Sequence, residues 1–281
     1  MHDFLKFSDL DKLSYVKKAN YLEIFLDSKK NVGFDQFIID LVSDTFWSSR
    51  KNSNVKYKDL ILSLSKLISN TNSIEPSYHN QDHFKDVRLS ISLLLRAQTE
   101  IASSLDQAAS WKVSDQEAWS LLLCGVCHDL GHDGSVNKHP FELEKRSIEL
   151  VQEFLEKSSL TLFERKEIIG TIEPIILATD PRYLPTLLHK FITGNNLQRS
   201  DYLSMLMVEA DLLASTLPNR GKILSERLSE EWQLTNPDAA ASVKTKKGRL
   251  YFLEHIRFVS PQSHTLGLEE IRKISINQVK E

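Results

Sequence analysis

The sequence predicts an all-α protein, a compact helical bundle around one core. Only nine glycines and eight prolines punctuate the 281 residues, which leaves room for long helices and argues against a hairpin-rich β fold. Apolar residues recur at helical spacing along most of the chain, and no segment makes a convincing strand.

Each element has its own signal. Within residues 1–70, Phe34, Phe37, Ile38, Leu41 and Val42 share a helical face, and Leu60, Leu62, Leu64 and Leu67 do so less cleanly. The polar run Ser69-Asn70-Thr71-Asn72-Ser73, followed by Pro76, reads as a loop. Val87, Ser90, Ile91, Leu94 and Leu95 then define a long amphipathic helix. Ser114-Asp115-Gln116-Glu117 is a capping-box start, and the helix it opens should end near Leu130, ahead of Gly131 and Gly134. Pro140 opens the next helix, with Leu143, Ser147, Leu150, Val151, Phe154 and Leu155 on one face. Ile168, Ile172 and Ile175 lead to Ala178 on a helix bent at Pro174. Leu203, Leu206, Met207, Ala210, Leu213 and Ala214 make an apolar helix that carries Asp211. A last strong helix is expected over 246–259, stopping before Pro261.

Bulk properties narrow the class. Hydrophobic content of 41% and charged content of 26% belong to an ordinary globular protein, with ample core for one large domain. A net charge of −3 gives no global attraction to nucleic acid or an anionic membrane, so neither partner is expected. Lys244, Lys246, Lys247 and Arg249 read as a solvated basic loop. The N-terminus lacks the pattern of a signal peptide, the apolar run Leu121 to Cys127 is too short to cross a bilayer, and a cytoplasmic protein follows as the expectation. Cys124 and Cys127 should be buried structural thiols. With His128 they also spell the haem-attachment pattern, which is rejected because it lies inside an apolar helix with Asp129 immediately after it.

The chemistry lies in a histidine–aspartate set. His79 and His83 are one helical turn apart and can face one cleft, as can His128 and His132. Asp129 follows His128 near a helix end, where adjacent side chains can converge on one ion. Asp211 on its apolar stripe must be paired or hold a metal, because burying a lone carboxylate is too costly. Two histidines and two carboxylates suit zinc, manganese or iron. A carboxylate shared with a second, mostly water-bound ion suits magnesium or manganese. Two such ions, about 3.5–4 Å apart, serve hydrolysis of phosphoesters. Any one histidine taken alone is more often a plain core or surface residue, which is how His2, His189, His255 and His264 are read. For the assembled set those odds reverse.

These residues resemble the catalytic domain of the class I cyclic-nucleotide phosphodiesterases, within the HD-domain metal phosphohydrolases. Tyr78-His79-Asn80-Gln81-Asp82-His83-Phe84-Lys85-Asp86-Val87 is similar to the family's Y-H-N-x-x-H-x-x-D-V, and His128 to Asn137 to its H-D-x-x-H-x-G-x-x-N. Leu177-Ala178-Thr179-Asp180 matches its L-A-T-D, and Ala210-Asp211-Leu212 its A-D-L. The order is right, across about residues 75–260, whereas residues 1–70 carry no such match. The resemblance implies a domain spanning 71–281, with residues 1–70 as a helical segment packed on it, either covering the cleft or forming a homodimer surface.

The resemblance further implies His83, His128, Asp129 and Asp211 on a tightly held metal, with Asp129 bridging to a second. His79 would be the general acid, and His132 and Thr179 would order water at the second metal. Tyr78, Asn137, Thr179, Arg249 and Phe252 would lie on the substrate side. A glutamate on the helix after H-D-x-x-H is assigned to Glu149, with Glu144 as the alternative. The implied reaction opens a 3′,5′-cyclic nucleotide to the 5′-monophosphate with two divalent ions. The chain departs from the family at Arg249, where a purine-holding glutamine is usual. Arginine has donors only, and favours a carbonyl edge or a phosphate, while Phe252 would stack on a base. This keeps an HD-type nucleotidase open as the alternative enzyme. A silent nucleotide-binding sensor is the other class, although no ligand or acid position is missing. A scaffold with a structural metal is disfavoured, because an apparent general acid stands beside the ligands.

Overall fold

The computed structural model describes residues 7–10, 12–50, 55–70, 76–101 and 110–281, and every regular element among them is an α-helix. The N-terminal part forms α1 (Phe7–Leu10), α2 (Tyr15–Asp27), α3 (Phe34–Ser43), α4 (Thr45–Ser48) and α5 (Val55–Ser69). The face expected from Phe34 to Val42 is the buried face of α3. On α5 the buried stripe is Leu60, Ile61, Leu64 and Ile68, while Leu62 is half-buried and Leu67 exposed. Leu62 and Leu67 fall outside the stripe that runs through positions 60, 61, 64 and 68. Of the expected loop after α5, residues 71–73 lie outside the described residues.

The motif-bearing part begins with α6 (Gln81–Ile101) and α7 (Asp115–Cys127). The Ser114–Glu117 capping box is reciprocal, as expected. After α7 the chain turns through left-handed Gly131 and Gly134. Next come α8 (Glu142–Glu156), α9 (Leu162–Leu177), α10 (Leu184–Thr193) and α11 (Arg199–Thr216). α8 begins later than Pro140 because Phe141 adopts a left-handed conformation, φ 63°, so regular turns start only beyond it. Pro174 is accommodated inside α9.

The C-terminal part holds α12 (Pro218–Trp232), α13 (Pro237–Val243), α14 (Lys246–His255), α15 (Pro261–Leu266) and α16 (Leu268–Lys280). The helix expected over 246–259 therefore stops at His255. The reason lies on α11, where the buried Glu209 carboxylate accepts from the Val259 amide at 2.6 Å, the Ser260 amide at 2.9 Å and the Ser263 hydroxyl at 2.7 Å. Those bonds draw the segment before α15 away from helical geometry. The basic run is likewise no loop. Lys246 and Lys247 open α14 and are exposed, whereas Arg249 is buried.

Helices α1 to α12, α15 and α16 contribute to one core, with Leu22, Phe37 and Ile61 joined to Leu122, Met207 and Leu266, and Phe252 of α14 packs against it. Trp47 on α4 is fully buried against Trp119 on α7, ring centroids 5.1 Å apart, and its Nε1 donates to Ser92 on α6 at 3.0 Å. Cys124 and Cys127 are both buried and unbridged, and burial pushes the Cys127 thiol up to about 12. Among the described residues no helix is long and apolar enough to cross a membrane. Because the N-terminal helices share this core, Trp47→Ala should cost about 3–5 kcal/mol. In urea, circular dichroism and tryptophan fluorescence should follow one transition. Early, separate loss of the N-terminal helices would show an independent unit instead.

Candidate active site

Three helices deliver the expected metal ligands. Asn80 stands immediately before α6, and its Oδ1 accepts from the Asp82 and His83 amides at 2.9 and 3.2 Å, which fixes His83 in the first turn. His128 is the C-cap of α7, and Asp129 begins the turn that follows. Asp211 projects from α11, whose neighbours are buried on nearly every side. His83 Nε2 lies 3.2 Å from both Asp129 Oδ2 and Asp211 Oδ1. His128 Nε2 lies 3.0 Å from Asp129 Oδ2 and 3.6 Å from Asp211 Oδ1. The donor atoms of His83, His128 and Asp211 all fall within 4.8 Å of one another.

The electrostatics fit a cation. Neither Nε2 makes a hydrogen bond of sound geometry, so two fully buried ring nitrogens are left orphaned at the meeting point of two carboxylates. Burial pulls the imidazole pKa values down, but the facing Asp129 and Asp211 charges outweigh it, lifting His83 to about 10 and His128 to about 9. Burial opposes ionisation of Asp129 and Asp211 in turn, and the two histidines hold both well below the usual carboxylate range. Such a cluster takes up either protons or a divalent ion on the same nitrogens.

His79 lies beside this cluster, its ring 5.6 Å from that of His83. Its partner is one that the sequence analysis missed, Glu231 at the end of α12. Glu231 Oε1 is 2.5 Å from His79 Nδ1, and Oε2 accepts from the Tyr78 and His79 amides at 2.7 and 2.9 Å. Burial works against ionisation of Glu231, but the His79 contacts prevail and lower its pKa. His132 stacks on His79 with ring centroids 3.7 Å apart, and its Nδ1 accepts from the Gly134 amide at 3.0 Å. Burial, then the charge of His79, presses His132 down to about 4, so it is neutral at pH 7. Gly134 is required here. Its φ is +77°, and a Cβ would come within 3.0 Å of the Glu231 side chain.

The remaining expected residues divide between two walls. On one, the Asn137 amide donates to Glu144 at 2.9 Å and accepts from the Leu143 amide at 2.8 Å, so it is committed to the start of α8. Glu149 is exposed on α8, away from these contacts. Glu144 is buried instead, and burial together with the nearby Asp180 and Asp129 charges raises its pKa despite the Asn137 bond. Phe141 is left-handed, the regular turns of α8 begin at Glu142, and the buried Glu144 lies in the first of them. Thr179 is half-buried, its hydroxyl donating to the Ile176 carbonyl at 2.8 Å. Its neighbour Asp180 accepts from the Phe141 amide at 2.8 Å.

On the other wall, the Tyr78 hydroxyl lies 2.8 Å from Ser215 Oγ. Arg249 Nη1 donates to the Ser215 carbonyl at 2.5 Å and Nη2 to the Leu217 carbonyl at 3.2 Å. Burial lowers the Arg249 pKa to about 10. Phe252 is half-buried, with the Arg249 guanidinium 5.6 Å from its ring centre. Gly221 makes room for this arrangement, since a Cβ there would collide with the Arg249 guanidinium and the Ser215 carbonyl.

No protein-family model matches the sequence, and no curated protein matches it. Solved structures do. The phosphodiesterase domain of the RhoPDE fusion protein from the choanoflagellate Salpingoeca rosetta is 18% identical over 86% of this chain and 95% of that one, with a TM-score of 0.57. LmjPDEB1 in complex with IBMX is 14% identical over 98% of this chain and 90% of that one, with a TM-score of 0.63. The fold is that of a phosphodiesterase catalytic domain. The LmjPDEB1 match spans nearly the whole of this chain, its N-terminal helices included.

The raised histidines give a pH test. In metal-free protein, protonated His83 and His128 stabilise the fold fully below about pH 6.5, and that stability drains away as pH rises through about 9 to 10. A divalent ion replaces those protons, so uptake at pH 7 should release about two protons. Calorimetry with manganese in buffers of different ionisation heat counts them. Asp211→Asn should bind manganese far more weakly, and binding without proton release would place the ion elsewhere.

Proposed function

We propose that this chain is a metal-dependent phosphoester hydrolase that opens a 3′,5′-cyclic nucleotide to the 5′-monophosphate. The observation that carries the reading is the four-donor cluster standing beside an imidazole, His79, whose Nδ1 is held by Glu231 at 2.5 Å. Phosphodiesterases of the same fold, one of them a complex with IBMX, support the reaction class and a small nucleotide as substrate.

His83, His128, Asp129 and Asp211 would hold the tighter ion, for which zinc, manganese or iron suits the donor set. Asp129 would be shared with a second ion, magnesium or manganese, with His132 and Thr179 ordering water there. Bound together, the two ions would supply Lewis acidity toward the phosphoryl group and a water activated at neutral pH. Glu144, not Glu149, would be the acidic group supporting that side.

The protein's own task is proton delivery. A ribose 3′-oxygen leaves poorly as an alkoxide and needs a proton in the transition state. With Nδ1 held by Glu231, His79 keeps its other nitrogen for the leaving oxygen. The neutral His132 face stacks on that ring without competing for the proton. Tyr78 and Phe252 would line the nucleotide side, whereas the Nη groups of Arg249 are committed to backbone carbonyls.

His79→Ala should lower kcat on the best cyclic nucleotide by about 10²–10⁴-fold while bound metal stays unchanged. Glu231→Gln should fall in the same direction by less. The decisive assay is a panel of cyclic mononucleotides and ordinary monophosphates with manganese present. Faster release of phosphate from monophosphates would replace this reading with a nucleotidase, and an inert wild type would leave a silent sensor.

A further inference from the structure

The helix that presents Glu231 begins without a cap of its own. α12 opens after Leu217, which makes no side-chain cap, and Pro218 at its first position has no N–H to satisfy. The next two amides, those of Asn219 and Arg220, both donate to Glu23 Oε1 on α2, at 2.8 and 3.0 Å. Asn219 Nδ2 donates to Glu23 Oε2 at 3.0 Å. A carboxylate from the N-terminal segment thus caps α12 and meets the positive end of its dipole.

Arg220 continues the connection inward. Its Nε and Nη2 grip both oxygens of Asp86 at 2.6 to 3.0 Å, and its Nη1 donates to Asp27 on α2. Arg220 and Asp86 are both buried, so the bidentate pair is shielded from water and from salt. Asp86 lies on α6, one turn beyond His83. Two carboxylates of α2 therefore meet the start of α12 at the point where α12 is tied to α6.

We propose that Glu23 and Asp27 are positioning residues. With Arg220 and Asp86 they form a clamp that sets α12 against α6 and thereby holds Glu231 on His79. The inference rests on His79 being the proton donor proposed above. Arg220 and Glu231 stand on one helix, separated by about three turns or roughly 16 Å of stiff rod. The far end of that rod must keep a 2.5 Å contact to Nδ1 and two amide bonds. A small rotation or slide at the clamped end carries over to that contact. The metal ligands sit on α6, α11 and the turn after α7, so they depend on the clamp far less.

The test compares wild type with the double variant Glu23→Ala/Asp27→Ala and with Glu23→Gln, which keeps the Oε1 acceptor. The double variant should lose about tenfold in kcat, as expected for a displaced catalytic group. KM and bound metal should stay unchanged, and the limb of the pH–rate profile where proton donation fails should move. Nitrogen-15 NMR of histidine-labelled, zinc-loaded protein should show the His79 Nδ1 proton shifted away from its strongly hydrogen-bonded position. Glu23→Gln should regain most of the lost kcat. A double variant that melts earlier yet keeps the wild-type kcat, pH profile and His79 resonance overturns the proposal. Should the double variant fail to fold, Asp27→Asn, at an exposed carboxylate, is read by the same resonance and the same criterion. If the wild type turns over no phosphoester, the proposed function fails, and the NMR comparison still decides whether the clamp governs the contact.

Discussion

Two carboxylates, Asp129 and Asp211, face the same pair of buried imidazoles, and the architecture of the cleft follows from that constraint. With both histidines neutral the group carries two uncompensated negative charges in a poorly hydrated place, which no fold tolerates cheaply. Neutrality is reached either by protonating both rings or by accepting one dication between them. The raised imidazole pKa values and the orphaned Nε2 atoms are two signs of that single requirement. α11 must then run through the interior to bring Asp211 there, which is why it is buried almost all round. α6 and α7 must present a first turn and a last turn to the same point.

Under the proposed function, proton delivery would impose a second constraint, met from a distance. Glu231 reaches His79 across 152 residues of sequence. The contact exists because α12 passes the start of α6 and because Gly134 leaves space for the glutamate stem. The stacked His132 stays neutral through burial beside a ring able to carry charge. The four-residue His/Asp cluster and the His79–Glu231 pair are therefore built on different supports, one on α6, α7 and α11 and the other on α12. The N-terminal helices, which carry no motif, bear on the second through Glu23 and Asp27.

What was legible in the sequence follows from how local its cause is. Helical spacing gave α3, the capping box gave the start of α7, and three short motifs gave the candidate metal ligands, because each depends on residues within a turn or two. Leu67 and the end of α14 were misjudged where a neighbouring helix decides. The α14 boundary answers to Glu209, a residue on α11 that leaves no mark in the local pattern. The family's spacing assigned Glu149, with Glu144 as the alternative, and burial, which only the fold supplies, distinguishes the two: Glu144 is buried and Glu149 exposed. Glu231 sits in a run of glutamates on an amphipathic helix. Its burial against His79 would have marked it, and that is a property of the fold.

Arg249 shows how a correct chemical reading can have the wrong recipient. Its donors were expected to seek a carbonyl edge or a phosphate, and they do find carbonyls. Those carbonyls belong to the end of α11, where helical C=O groups lack intrahelical partners. One charged side chain satisfies two of them, and Gly221 is what allows it so close. Anchored in this way by two of its five N–H groups, the buried guanidinium is turned toward the backbone. Under the proposed function, this wall presents the half-buried ring of Phe252 rather than a hydrogen-bonding amide. Stacking on a ring discriminates weakly among bases, since every base has a π face. The arrangement at position 249 thus favours reading the phosphate ring closely and the base loosely.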